Sequence, residues 1–321
     1  MLLKPVGMHI PDGFLSIGMA IILWLLSIAV VAIALRRVSQ DLDERRIPLM
    51  GVLAAAIFAG QMLNFAVAGG TSGHLMGAAL AAILLGPWAA ILVMTTVVGI
   101  QALIFQDGGL LALGGNIFNM GVVGVTVSYF VYRTTRHLLG SFSWGRLASS
   151  FLAAWFSIEI VALAVGLQLA LSGTSPANIA IPAMAAIHAV IGAGEGLITL
   201  GAIAFLAATR PDLAEAGAKS QPAGRLVWGI GLLVSLAIVV GSPLASSNPD
   251  GLEWVAAQVA AQKGFLNSAQ GPLFKVIPDY ALPGVSNEAL ATILAGIIGT
   301  LVVFGTALGM AYARRRRSDG G

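Results

Sequence analysis

The sequence predicts an all-α integral membrane protein, and three observations carry that prediction. Of 321 residues, 58% are hydrophobic and only 10% charged, against about a quarter charged in an average soluble domain. Apolar runs of roughly 20 residues, enough to cross a ~30 Å hydrocarbon core as helices, recur along most of the chain. Lysine and arginine gather in alternate connections between those runs, as the positive-inside rule requires of a multi-pass protein.

Taken in order, the first run covers 15–35. Only Lys4 precedes it, no small-residue cleavage site follows it, and it ends on Arg36-Arg37, so it reads as a permanent first span and not a removed signal. Runs at 48–68, 87–105, 116–132, 147–171 and 182–208 follow. Segment 74–86 is too apolar for a loop and short for a span; it is read as a short or tilted helix ended at Gly86-Pro87-Trp88. These seven form a core. The charged, Pro/Gly-punctuated stretch 209–225 reads as a linker, followed by a span at 226–244, a polar segment at 245–289 and a last span at 290–313 closed by Arg314–Arg317.

Nine crossings with the N-terminus outside place 14 of the 17 basic residues on the cytoplasmic side and leave only Lys4, Lys263 and Lys275 elsewhere. That alternation counts 74–86 as a crossing. The expected location is the inner (cytoplasmic) membrane, with the C-terminus cytoplasmic. The terminal arginine run is read as an anchor, and no nucleic-acid role is expected. Small residues are dense at 54–60, 77–86 and 192–196, where they allow close helix packing, either inside the bundle or against another membrane protein.

Several chemistries are excluded. Cysteine is absent, which removes thiolate metal sites, disulfides and cysteine nucleophiles. There is no G-x-x-x-x-G-K-[ST] loop, since "GAKS" at 217–220 lacks the spacing and setting, so ATP-driven work must be powered by another chain. H-E-x-x-H is absent as well.

The polar groups that remain collect at the predicted external ends of helices: His9 and Asp12 before the first span, Asn64, Ser72 and His74 around "AGGTSGH", Asp107 in "FQDGG", and Asn116 and Asn119 in "GGNIFNM". His9 and His74 could meet at the mouth of the bundle as ligands, or each could be an interfacial, hydrogen-bonded histidine. His188 and Glu195, seven apart, share one helix face. Together with Glu159 they either line a pathway or lock helices together. "GTSG" at 70–73 resembles the nucleophile motif of intramembrane serine proteases, with His188 as a conceivable base for Ser72; Ser72, however, lies in a loop.

The stretch "MHIPDGFLS" has a further reading. A chain beginning at Met8 would start Met-His, whose free amine, second amide nitrogen and imidazole can chelate one ion in adjoining rings, with His74 as fourth nitrogen. Four planar nitrogens suit Ni(II) or Cu(II), and Co(II) can be accommodated. As written, seven residues precede Met8.

These motifs, with "NFAVAGGTSGHLMGAALAAILLGPW…GGNIFNMGVVG" over 64–124 and "HAVIGAGEGLIT", resemble the substrate-binding (S) components of energy-coupling factor transporters for nickel and cobalt, the NikM/CbiM type. The similarity spans about Met8 to Ala208, and "SNPDGLEWV" at 247–255 resembles the hallmark of the small partner subunit often fused to it. The resemblance implies a seven-helix S-component bundle over 8–208, residues 1–7 as an extension, a linker over 209–225 and an accessory domain over 226–321 with two transmembrane helices. It implies Met8, His9 and His74 as metal ligands; Asp12, Asn64, Ser72, Asn116, Asn119, His188 and Glu195 are supporting or pathway candidates. It further implies no cofactor beyond the transported Ni²⁺ or Co²⁺, with a slight lean to nickel, and as partners a transmembrane coupling protein and cytoplasmic ATPases. Locally, "PDGLE" reads as a turn and helix start with Asp250 as N-cap and Glu253 three residues on; both are weak candidates for transient contact with the ion. A secondary cation transporter using His188, Glu195 and Glu159 is the other non-protease alternative.

Overall fold

A computed structural model of the chain describes residues 9–41, 47–67, 69–211, 213, 225–261 and 274–318. Met8, part of the linker and part of the 245–289 segment therefore lie outside the described residues. The elements are α1 (Ile17–Asp41), α2 (Ile47–Gln61), β1 (Phe65–Val67), β2 (Thr71–Gly73), α3 (Ala78–Leu85), α4 (Pro87–Phe105), α5 (Leu113–Leu138), α6 (Gly145–Leu171), α7 (Ala177–Thr209), α8 (Arg225–Val240), α9 (Gly251–Ala261) and α10 (Glu288–Ser318). Among the described residues, six helices are long and apolar enough to cross a membrane (α1, α4, α5, α6, α7 and most of α10), with α2 and part of α8 as shorter apolar helices. The chain is a multi-pass membrane protein.

Lipid-facing and protein-facing apolar surface separate cleanly. α1 leaves Ile17, Ile21, Ile22, Leu25 and Ile28 exposed, whereas every residue of α3 is buried. Small residues make that burial possible: Ala54, Ala55 and Ala59 on α2 and Ala78, Ala79, Ala81 and Ala82 on α3 have no exposed surface. The small-residue stretches thus pack inside the bundle, including 192–196, where Gly192, Gly194 and Gly196 receive Trp155, Phe65 and Phe151.

Two predicted elements come out differently. The helix expected over 48–68 stops at Gln61, and an antiparallel hairpin follows, Phe65 opposite Gly73 and Val67 opposite Thr71. Segment 74–86 is not a full helical crossing. Only Ala78–Leu85 is helical, about 12 Å of rise, and His74 lies in the non-helical stretch leading into it. Such backbone is tolerated at membrane depth only when buried in protein, and here both oxygens of Glu195 accept the N–H groups of Met76 and Gly77 (2.8 and 2.9 Å). A carboxylate from α7 therefore satisfies two donors at the start of α3 and complements its dipole.

Two stretches adopt the wider π-helical turn, Gln101–Phe105 closing α4 and Ile117–Gly124 within α5. Both flank the loop 106–112, against which the N-terminal segment docks.

Candidate metal centre

Residues 9–12 lie along the loop 106–112 and are held at every polar atom that matters. Asn116 grips Ile10 from both sides, its Oδ1 accepting the Ile10 N–H (3.0 Å) and its Nδ2 donating to the Ile10 carbonyl (3.1 Å). Gly109 N–H donates to the same carbonyl (3.0 Å). The Asp12 carboxylate accepts the N–H groups of Leu110 and Ala112 (3.1 and 3.0 Å), pinning the turn that leads into α5 from a distant part of the chain. Approach is so close that only glycine fits beneath it: a Cβ at Gly109 would lie 2.0 Å from Asp12 Oδ1, and one at Gly108 (φ +91°) 2.8 Å from His9 Cβ.

This docking fixes His9. Its ring and the Asp107 carboxylate are both buried, with Nδ1 2.8 Å from Oδ1. Nε2 is buried with no hydrogen-bond partner. With Nδ1–H donating to the carboxylate, the neutral ring keeps a lone pair on Nε2, the arrangement a metal-binding histidine shows. Burial works to raise the Asp107 pKa, but the electrostatic pull of the neighbouring imidazole and the hydrogen bonds from His9 and Tyr280 outweigh it and leave the carboxyl below its ordinary value.

His9 faces a cavity of about 90 Å³. His74, His188, Asn116, Asn119 and Asp250 supply its other polar lining, with Met120, Met184 and aliphatic side chains between. The His9 and His74 ring centroids are 6.1 Å apart. Two imidazoles sharing one ion through bonds of about 2 Å would place their centroids roughly 4.5–6.3 Å apart, depending on the angle at the metal. Among the described residues, no group of three or more histidine or carboxylate side chains is arranged to hold an ion. A four-coordinate site here would need backbone nitrogens as well.

The remaining sequence-named residues divide. Asn119 lines the cavity and pairs reciprocally with Gln168 (2.8 and 2.7 Å). His188 Nδ1 sits 2.8 Å from the Met184 carbonyl, which directs Nε2 away from its own helix. Asn64, Ser72, Glu159 and Glu195 do not line the cavity. Although on the same helix face as His188, Glu195 is occupied in holding α3. Ser72 is buried and its hydroxyl donates to the Asn248 carbonyl (2.8 Å), with the Pro249 carbonyl at 3.3 Å; a hydroxyl so engaged is not hydrogen-bonded to a histidine base.

Asp107 entered the sequence reading only as an external polar group, and Gln168 and Tyr280 not at all. The tail contributes directly to this end of the bundle. Ser72 N–H donates to the Pro249 carbonyl (2.8 Å), Thr71 Oγ1 donates to it as well (3.0 Å), and Gly251 packs so tightly on His188 that a Cβ there would lie 2.8 Å from Cε1. Asp250 and Glu253 form a reciprocal cap at the start of α9, Glu253 N–H to Asp250 Oδ1 (2.7 Å) and Asp250 N–H to Glu253 Oε2 (3.2 Å), the capping-box arrangement. Burial, reinforced by the neighbouring Glu253, pushes the Asp250 carboxyl well above its usual range.

Comparison with known proteins matches residues 9–213 to the family of cobalt uptake substrate-specific transmembrane regions, and residues 225–316 to the PDGLE domain. A fused NikMN relative from Archaeoglobus fulgidus is 39% identical over 97% of this chain and 100% of its own. The fused nickel transport protein NikMN of Rhodobacter capsulatus is 31% identical over 94% of this chain and 96% of its own. The cobalt transport protein CbiM of Sorangium cellulosum is 36% identical over 65% of this chain and 95% of its own. Among solved structures, a truncated transition metal transporter superposes with a TM-score of 0.56 at 35% identity, covering 63% of this chain and 99% of that one.

Proposed function

Since this chain belongs to the family of cobalt uptake substrate-specific transmembrane regions, with a PDGLE domain joined behind it, we propose that it is the metal-capturing membrane subunit of an ATP-driven importer of the energy-coupling factor type for Ni²⁺ or Co²⁺. It is a transport protein and not an enzyme. The ion is bound on the external side, with the N-terminus outside and the C-terminus cytoplasmic, and a transmembrane coupling protein and separate ATPases supply the energy.

One observation carries the reading. A buried histidine near the N-terminus, His9, has one ring nitrogen tied to a buried carboxylate and the other unpartnered, in a cavity shared with His74. Asp107 takes one ring nitrogen of His9 and leaves the other to the ion. In the observed orientation the free nitrogen is Nε2. Closing a chelate with the His9 amide uses Nδ1, so on binding the side chain reorients and Asp107 takes the Nε2–H hydrogen bond instead. His74 supplies the second imidazole and, in a chain beginning at Met8, the Met8 amine and the His9 amide nitrogen complete a planar set that suits Ni(II). Asn116 and Asp12 keep the segment in place.

Calorimetry on the purified protein tests the assignment. His74→Ala removes a ligand and lowers Ni²⁺ affinity by more than tenfold; unchanged affinity would show that His74 does not bind the ion.

A further inference from the structure

We propose that Tyr280, in the tail domain, is a positioning residue for the captured ion: it anchors Asp107, the carboxylate that holds one ring nitrogen of His9 and leaves the other to the ion. The inference rests on the reading of His9 as a ligand. The Tyr280 hydroxyl donates to Asp107 Oδ2 (2.6 Å) while Oδ1 of the same carboxylate lies 2.8 Å from His9 Nδ1. Each oxygen of Asp107 thus has one partner, and the line Tyr280–Asp107–His9 ends on the unpartnered ring nitrogen. Without the phenol, Oδ2 loses its partner, and the carboxylate is held at the ring by the His9 contact alone.

The tail is built to deliver that hydroxyl. Ile277 N–H donates to the Ile104 carbonyl (2.9 Å) and Val276 N–H to Gln106 Oε1 (3.2 Å), which lays the segment before Tyr280 along the end of α4. The Tyr280 ring stacks on Phe105, centroids 4.7 Å apart and planes 14° from parallel. Asp279 and Tyr280 both hold φ at 55°, the left-handed region that crowds a residue with a Cβ. Two consecutive non-glycine residues stay there only where their surroundings over-determine them, and such positions gather at functional sites. Stacking alone would be served by phenylalanine; the hydroxyl, aimed at the carboxylate behind a metal ligand, is the part that packing does not explain. The accessory domain therefore contributes a specific atom to the ligand sphere of the other domain.

The test uses the full-length protein in detergent, with Ni²⁺ affinity by calorimetry and the electron paramagnetic resonance of bound Cu(II) as a reporter of nitrogen ligation. Removing an outer-sphere partner of a metal-bound histidine costs 10–100-fold, and Tyr280 acts one bond further out. Tyr280→Phe, which keeps the stack, therefore weakens Ni²⁺ binding roughly tenfold and alters the Cu(II) nitrogen hyperfine pattern, and both effects vanish when Asp107 is already Asn. The proposal is overturned if Tyr280→Phe matches the wild type while His9→Ala abolishes binding, or if its loss persists in the Asp107→Asn background, since the effect then runs through packing. Unchanged binding in His9→Ala overturns the reading of the site itself, and the relay with it.

Discussion

The two histidines that face each other across the cavity stand on frames built in different ways. His9 is carried by an N-terminal strip locked onto loop 106–112 by side chains of its own domain, namely Asp12, Asn116 and Asp107, with Tyr280 as the one tail contribution to that set. His74 stands on the run from the β-hairpin into α3, held from within by Glu195 and from the tail by the carbonyls of Asn248 and Pro249. One histidine stands on a strip pressed backbone to backbone against the loop beneath its side-chain bonds, and the other on polar clamps alone, one of which belongs to the tail. Substitutions in the two frames should therefore fail in different ways, and the largest effect is expected where the fit is backbone against backbone.

That place is Gly109. A Cβ there meets Asp12 Oδ1 at 2.0 Å and the Asp12 amide nitrogen at 2.2 Å, and a main-chain atom cannot step aside as a flexible side chain does. Gly109→Ala therefore undocks residues 9–12, and Ni²⁺ affinity measured by calorimetry falls by about a hundredfold or more, two powers of ten corresponding to about 2.8 kcal/mol. If Gly109→Ala binds like the wild type, the docked strip is not what holds His9 for the ion.

The His74 frame breaks first in stability. Glu195→Ala strands the buried N–H groups of Met76 and Gly77, each an unsatisfied donor costing about 1–3 kcal/mol. The expected loss is about 2–6 kcal/mol, read as a lowered melting temperature in detergent, with Glu195→Gln losing less because its amide oxygen still accepts one of the two. A secondary-transport pathway through Glu195 predicts the opposite pattern: intact stability, with uptake lost.

These contrasts also mark what the sequence could reveal. Helix-length apolar runs were legible because lipid and protein interior reward the same residues, and for that reason hydropathy overstated 48–68 and 74–86: α3 is apolar through burial in protein. The Gly69-Gly70 turn was visible in the sequence, but Phe65, Ala66 and Val67 carried the helical reading up to it. His9, His74, Asn116 and Asn119 could be gathered as one polar end, while His188 was read apart from them. The identical periodic signal that paired His188 with Glu195 could not tell a cavity-facing ring from a carboxylate turned toward α3. Asp107 and His9 are 98 positions apart and Tyr280 is 173 further on; no local pattern links groups joined only by the fold.

The smallest effect is expected at Ser72, where the two frames and the protease alternative meet. Its hydroxyl donates to the tail at Asn248, but the N–H of Ser72 and the hydroxyl of Thr71 also reach Pro249, so the contact does not depend on one group. Ser72→Ala deletes the hydroxyl and leaves the backbone bond. A single hydrogen bond contributes a net 0.5–1.5 kcal/mol or so, and the Asn248 carbonyl it leaves behind has a second lone pair for other partners. The melting temperature should accordingly fall by only a few degrees, and Ni²⁺ affinity should stay within about threefold of the wild type. A larger loss would show that the hydroxyl, and not the main chain around it, couples the tail to the His74 side of the cavity. Peptide cleavage present in the wild type and abolished by the same substitution would instead give Ser72 the nucleophile role, against the geometry in which its proton already points at a backbone carbonyl.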